Sequence, residues 1–75
     1  MEPYKNIGGA SNVAAYEIAS DSIKVQFRDG WIYTYTYQSA GQDNIEQMKT
    51  LAQAGRGLNS FIIKTVRKAY ATKSK

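Results

Sequence analysis

The sequence predicts an α+β fold, a small antiparallel three-stranded sheet (β-β-β) followed by two helices packed on one sheet face. Two runs, Ile23–Arg28 and Trp31–Tyr37, alternate apolar or aromatic with mostly polar side chains at the period of a strand, and both are rich in the residue types that pack well on a pleated surface. Two later segments, Asp43–Ala54 and Asn59–Ala71, instead space their apolar residues by three and four, one face of a helix.

Met1–Gly9 holds Pro3 and the pair Gly8-Gly9, so residues 1–10 are expected to be an arm leading into one domain of residues 11–71. Ser11–Ile18, with Val13, Tyr16 and Ile18, is expected to form the first strand, and its imperfect alternation leaves the inward face open. Ala19-Ser20-Asp21 then turns the chain.

The hairpin of residues 22–37 has two candidate registers. A two-residue turn at Asp29-Gly30 would set Phe27 opposite Ile32. A three-residue loop, Arg28-Asp29-Gly30 with Gly30 left-handed, sets Phe27 opposite Trp31, Val25 opposite Tyr33 and Ile23 opposite Tyr35. The second register gathers all six apolar or aromatic residues on one face, and a slip of one residue would scatter them, so it is the one expected. That face is read as core, which leaves Tyr37 at the sheet edge and Tyr4 on the arm as the tyrosines available for contact.

Gln38–Gln42 reads as a linker. Ile45, Met48, Leu51 and Ala52 line the first helix, with Asp43 at its start as cap or first-turn acid and Gly55 ending it. Asn59 or Ser60 caps the second helix, which buries Leu58, Phe61, Ile62, Val66, Ala69 and Tyr70. Residues 72–75 are polar and basic and are expected to fray as a tail.

A chain of 75 residues holds one core, burying about 60% of the surface its unfolded form exposes. It contains no cysteine and no histidine, which removes disulfides, thiol catalysis and histidine-activated serine chemistry. Its carboxylates, Asp21, Asp29, Asp43, Glu17 and Glu46, are scattered with no pairing implied by spacing, so the expectation is no enzyme, no cofactor and no metal. No run approaches the roughly 20 apolar residues that span a bilayer, and the first residues lack a signal peptide's basic start and apolar centre. The chain is therefore expected to be soluble and cytoplasmic, without a membrane partner.

Charge is segregated. The formal net charge is +4, yet residues 1–54 carry four basic against six acidic side chains, while residues 55–75 carry Arg56, Lys64, Arg67, Lys68, Lys73 and Lys75 with no acid. Arg56, Gly57, Lys64, Arg67, Lys68 and Lys73 are the candidate site, a surface for nucleic acid or another polyanion that covers phosphates without reading bases. Amides near Gly57, with Arg56 beside them, form a candidate anion cradle; the alternative is that the two glycines only turn one helix into the next. The competing partner is a protein, bound at an uncovered sheet edge or at the outer face containing Ile32.

Ser11-Asn12-Val13, the run Ile23–Gly30, Tyr33-Thr34-Tyr35, and Gly57-Leu58-Asn59 followed by Phe61-Ile62 together resemble the KTSC domain, over nearly the whole span from Ser11 to about Tyr70. That family is a short bacterial module found at the carboxy-terminal side of some lysyl-tRNA synthetases and as a free-standing protein. The chain departs from it in lacking a proline within Gln38–Asp43 and in carrying the bulky Trp31. The resemblance implies a β-rich start followed by helices, supplies no established reaction, and makes RNA the nucleic acid to expect.

Overall fold

The computed structural model describes residues 1–7, 9 and 11–75; the irregular course expected at Gly8 and the arm boundary at Ala10 lie outside them. The elements in chain order are β1 (Glu2–Pro3), β2 (Val13–Ile18), β3 (Ser22–Phe27), β4 (Ile32–Thr36), α1 (Tyr37–Ala40), α2 (Gln42–Ala54), α3 (Leu58–Phe61), a π-helical turn (Ile62–Val66) and β5 (Thr72–Ser74). The fold is α+β as expected, but among the described residues the antiparallel sheet has five strands, in the order β1-β2-β3-β4-β5, and not three.

Both added strands come from segments too short and polar to announce themselves. The N-terminal arm is pinned: Glu2 pairs with Tyr16 and Pro3 with Ala15, and the Tyr4 amide donates to the Ala14 carbonyl at 3.0 Å. The tail does not fray at Thr72–Ser74, which lies along β4 with Thr72 opposite Thr34, Lys73 opposite Tyr33 and Ser74 opposite Ile32.

The hairpin adopts the three-residue loop. Ile23 pairs with Tyr35 and Val25 with Tyr33, the Phe27 amide donates to the Trp31 carbonyl at 2.9 Å, and Gly30 sits at φ +94°. A positive φ there is what lets the chain turn in three residues, and glycine adopts it without a Cβ penalty. In β2 a bulge between Val13 and Ala15 shifts the register, so Val13 and Tyr16, three apart, both point inward. That bulge is the physical reason the alternation of this strand is imperfect.

Tyr37–Ala40 is a one-turn helix, where Tyr37 is expected to end the hairpin and Gln38–Gln42 to be linker. Thr36 Oγ1 accepts from the Ser39 amide and Ser39 Oγ accepts from the Thr36 amide, each at 3.0 Å, a reciprocal capping box. Helix α2 has Asp43 in its first turn and ends on left-handed Gly55. Its Ile45, Met48 and Ala52 face Ile23, Val25 and Tyr35 of the sheet in one core, joined by Tyr4, Val13, Tyr16, Leu58, Ile62 and Val66.

The second helix is shorter than its apolar spacing implies, and neither Asn59 nor Ser60 caps it. Gly57, left-handed and without a side-chain hydrogen bond, precedes α3. Ile62, Ile63, Thr65 and Val66 are β-branched and resist regular α-helical packing at χ1. The helix widens there into a π turn, closed by the Arg67 amide on the Ile62 carbonyl at 2.6 Å. Arg67 then turns the chain back at φ +29°, and Tyr70 lies edge-on to Tyr33 with ring centroids 4.9 Å apart. This reversal delivers Thr72–Ser74 to the edge of β4. No helix among the described residues is long and apolar enough to cross a membrane.

Candidate functional site

The six candidate residues do not form one patch. Lys64 lies on the π turn and Lys68 just beyond it, both exposed. Arg67, at the end of that turn, lines a cleft of about 680 Å³ that opens between the hairpin loop and the π turn. Lys73, on β5, holds its ammonium 5.3 Å from the Trp31 ring centroid and 5.9 Å from that of Tyr70. Arg56 and Gly57 line a second, smaller cleft of about 160 Å³ on the far side of Asn59, with Tyr4, Asn6 and Ser11.

The larger cleft adds residues that the sequence did not single out. Arg28 of the hairpin loop lines it together with Arg67, as do Asn12 and Asn59. Its apolar lining is Phe27, Tyr33, Tyr35, Ile62 and Ile63. Tyr35 and Ile62 are buried, whereas Phe27 and Tyr33 are only half-buried. Asp29 is the acid present, and its Oδ1 is engaged by the Trp31 amide at 3.0 Å. The three-residue loop, which lifts Arg28 to the tip of the hairpin, was the available signal for this cation.

Arg67 is also a backbone outlier. A non-glycine residue at φ +29° and ψ −92° is outside the favoured regions, a state that costs on the order of 1–3 kcal/mol and persists only where neighbours impose it. Here its amide is fixed to Ile62 and its carbonyl accepts the Tyr35 hydroxyl at 3.3 Å. Burial, with Tyr33 and Tyr70 beside it, pushes the Tyr35 phenol up to about 12, so it stays a hydrogen-bond donor across ordinary pH.

Among the described residues the one ion pair is Lys49–Glu46, at 2.9 Å. None of the six basic side chains of residues 55–75 therefore has a carboxylate partner. Asp29 shares the larger cleft with Arg67 but forms no ion pair with it.

Neither tyrosine expected to be available is free. Tyr4 is 6% exposed, and its hydroxyl accepts the Leu58 amide at 3.3 Å. That same bond occupies the first amide of α3, which the anion-cradle reading of Gly57 would have used. Tyr37 is half-buried and donates to Glu46 Oε2 at 2.6 Å, while Lys49 lies 5.7 Å from its ring centroid and reaches the Ser20 carbonyl at 3.0 Å. The Tyr37 bond raises its phenol and, with Lys49, holds the Glu46 carboxyl below its ordinary range. Trp31, expected in the core row, stands outside the core cluster because no helix reaches the hairpin tip, and Lys73 and Lys75 cover it instead.

Among the described residues no group of three His, Cys, Asp or Glu side chains could hold a metal ion. The chain matches no family model, no curated protein and no solved structure.

Proposed function

We propose that this chain is a non-enzymatic binding module whose C-terminal third docks against a nucleic-acid backbone, in the cytoplasm, with RNA the first ligand to try. The observation that carries the proposal is the set of six unpaired cations, Arg56, Lys64, Arg67, Lys68, Lys73 and Lys75, on elements that hold no acid. A solvated face kept basic for solubility usually mixes both signs; a surface that releases counterions from phosphates does not. The resemblance to the KTSC module, and through it to a domain that accompanies some lysyl-tRNA synthetases, supports RNA over other polyanions. A protein partner at the sheet edge is the second reading, and it would pair with β1 or β5, the outer strands of the sheet.

Titration of labelled protein with single-stranded and duplex RNA and DNA, followed by NMR at two salt concentrations, tests the reading. Shifts are expected at Arg56, Lys64, Arg67, Lys68 and Lys73. They should weaken steeply with salt, roughly 0.7–0.9 in the log–log slope for each phosphate neutralised. Absence of shifts at these residues at low salt rejects the proposal, and one stable protein partner recovered after nuclease treatment would replace it.

A further inference from the structure

We infer that the cleft between the hairpin loop and the π turn takes one unpaired nucleobase together with its adjacent phosphate. This rests on the nucleic-acid reading above and adds to it a position where a base, and not only the backbone, is held. Three features meet at the cleft. Its wall is aromatic, with the half-buried rings of Phe27 and Tyr33 set edge to face at 5.3 Å, Tyr33 being packed in turn against Tyr70 and Tyr35. Arg28 and Arg67 both line it, so the charge remains positive even with Asp29 present. Asn12 and Asn59 bring side-chain amides, each of which both donates and accepts.

A purely backbone-binding surface needs none of the first or third of these. An apolar ligand would leave the two guanidiniums without purpose, and a bare phosphate would leave the aromatic wall empty. A planar base with a phosphate attached uses all three, since stacking on rings tolerates any base, amides meet its edge, and arginine forks take the phosphate oxygens. The volume of about 680 Å³ lies within the usual range for small-ligand clefts, roughly 300–1,000 Å³. Bases inside a duplex are not free to enter, so the cleft distinguishes single strands from paired ones.

The test is an NMR titration of the full chain with three probes, a short oligouridylate, an RNA duplex of the same charge, and uridine monophosphate. The single strand is expected to move the side-chain signals of Phe27, Tyr33 and Ile63 and the amide of Arg28, which the duplex leaves in place. Saturation by the monophosphate at the strand's own affinity identifies a free nucleotide as the source of the base; a much tighter strand identifies the polymer. Either supports the cleft. Phe27→Leu, which keeps apolar bulk, should weaken the strand about tenfold, as loss of one stacked base does, and leave duplex affinity unchanged. Asn59→Ala gives the same contrast if Phe27→Leu unfolds. If strand and duplex move only Arg56, Lys64, Arg67, Lys68 and Lys73, the backbone reading stands and the base site is refuted. If no nucleic acid moves anything, both fall.

Discussion

Alanine at Gly55 should destabilise this fold well beyond alanine at Gly57, although the two glycines share a backbone conformation. Gly55 has φ 78° and ψ 21°, Gly57 has φ 80° and ψ −7°, and both are left-handed. The conformational cost of a Cβ there, about 1–2 kcal/mol, is common to both. So is the return of about 0.4–1 kcal/mol from a stiffer unfolded chain. The difference lies in space. A Cβ at Gly57 would meet Leu51 Cδ2 at 3.5 Å, an ordinary contact, whereas a Cβ at Gly55 would meet Lys5 Cβ at 2.6 Å. Lys5 Cβ is tied to its own main chain, which cannot swing away. That main chain is held on both sides, by buried Tyr4 and by the Ile7 amide on the Gly55 carbonyl at 2.7 Å.

Overpacking of this kind costs about 1–3 kcal/mol. Gly57→Ala should then cost about 0–1.5 kcal/mol and Gly55→Ala about 2–4, out of the roughly 4–11 kcal/mol that a chain of this length commands. Urea unfolding measures it directly. With a slope of roughly 1 kcal/mol/M, the two midpoints should differ by about 1–3 M. Coincident midpoints would refute the reasoning, because they would mean that residues 4–7 yield freely and that Tyr4 is not clamped between α2 and α3.

Three further outcomes are expected. Tyr35→Phe should cost about 0.5–1.5 kcal/mol by urea unfolding, near the low end because the bond to Arg67 is long at 3.3 Å. The Tyr35 phenol is raised from 10.0 to about 12, so the stability it contributes is complete below pH about 10 and is lost as pH rises toward 12; the loss of stability over that range should be absent in Tyr35→Phe. Glu46 is shifted the opposite way, so its contribution is present above the ordinary glutamate range and disappears as pH falls through its lowered folded value, an effect that Glu46→Gln should abolish in an acid unfolding series. Deleting Thr72–Lys75 removes β5 and both ammoniums from Trp31, and should red-shift Trp31 fluorescence while costing about 1–2 kcal/mol from the two cation–π contacts alone.

What the sequence made legible was whatever depended on one element or one close pair. The period of Ile23–Phe27 against Tyr33 and Tyr35 set the hairpin register, because only one register put the apolar residues on one face. The spacing of Ile45, Met48 and Ala52 gave α2, and Gly55 its end. What stayed hidden depended on partners distant along the chain. Glu2–Pro3 and Thr72–Ser74 have no strand pattern of their own and become strands only because β2 and β4 offer unpaired edges. The same limit applied to the site. Segregation of charge was visible in the sequence, but the meeting of Arg28 with Arg67 needed the π turn, and the helical spacing of Val66, Ala69 and Tyr70 argued against any turn there. β-branching at Ile62, Ile63, Thr65 and Val66 is the contrary signal, and the apolar period masks it.

The placement of the basic residues also ties binding to the stability of the C-terminal elements. No residue of β5 is buried, so it is held by its pairing with β4 and by Lys73 and Lys75 crowding one indole. Two ammoniums drawn to the same ring repel each other, and the single ion pair of the described residues lies elsewhere, at Lys49. The strand therefore keeps its position against an uncompensated repulsion. Under the proposed function, a polyanion settling across Lys73 and Lys75 would remove the repulsion while leaving the pairing intact, so that binding would firm the strand. Arg67 extends the same logic to the cleft. Its backbone is fixed in folding by Tyr35 and Ile62, so a ligand in the cleft would have only the exposed side chain left to order.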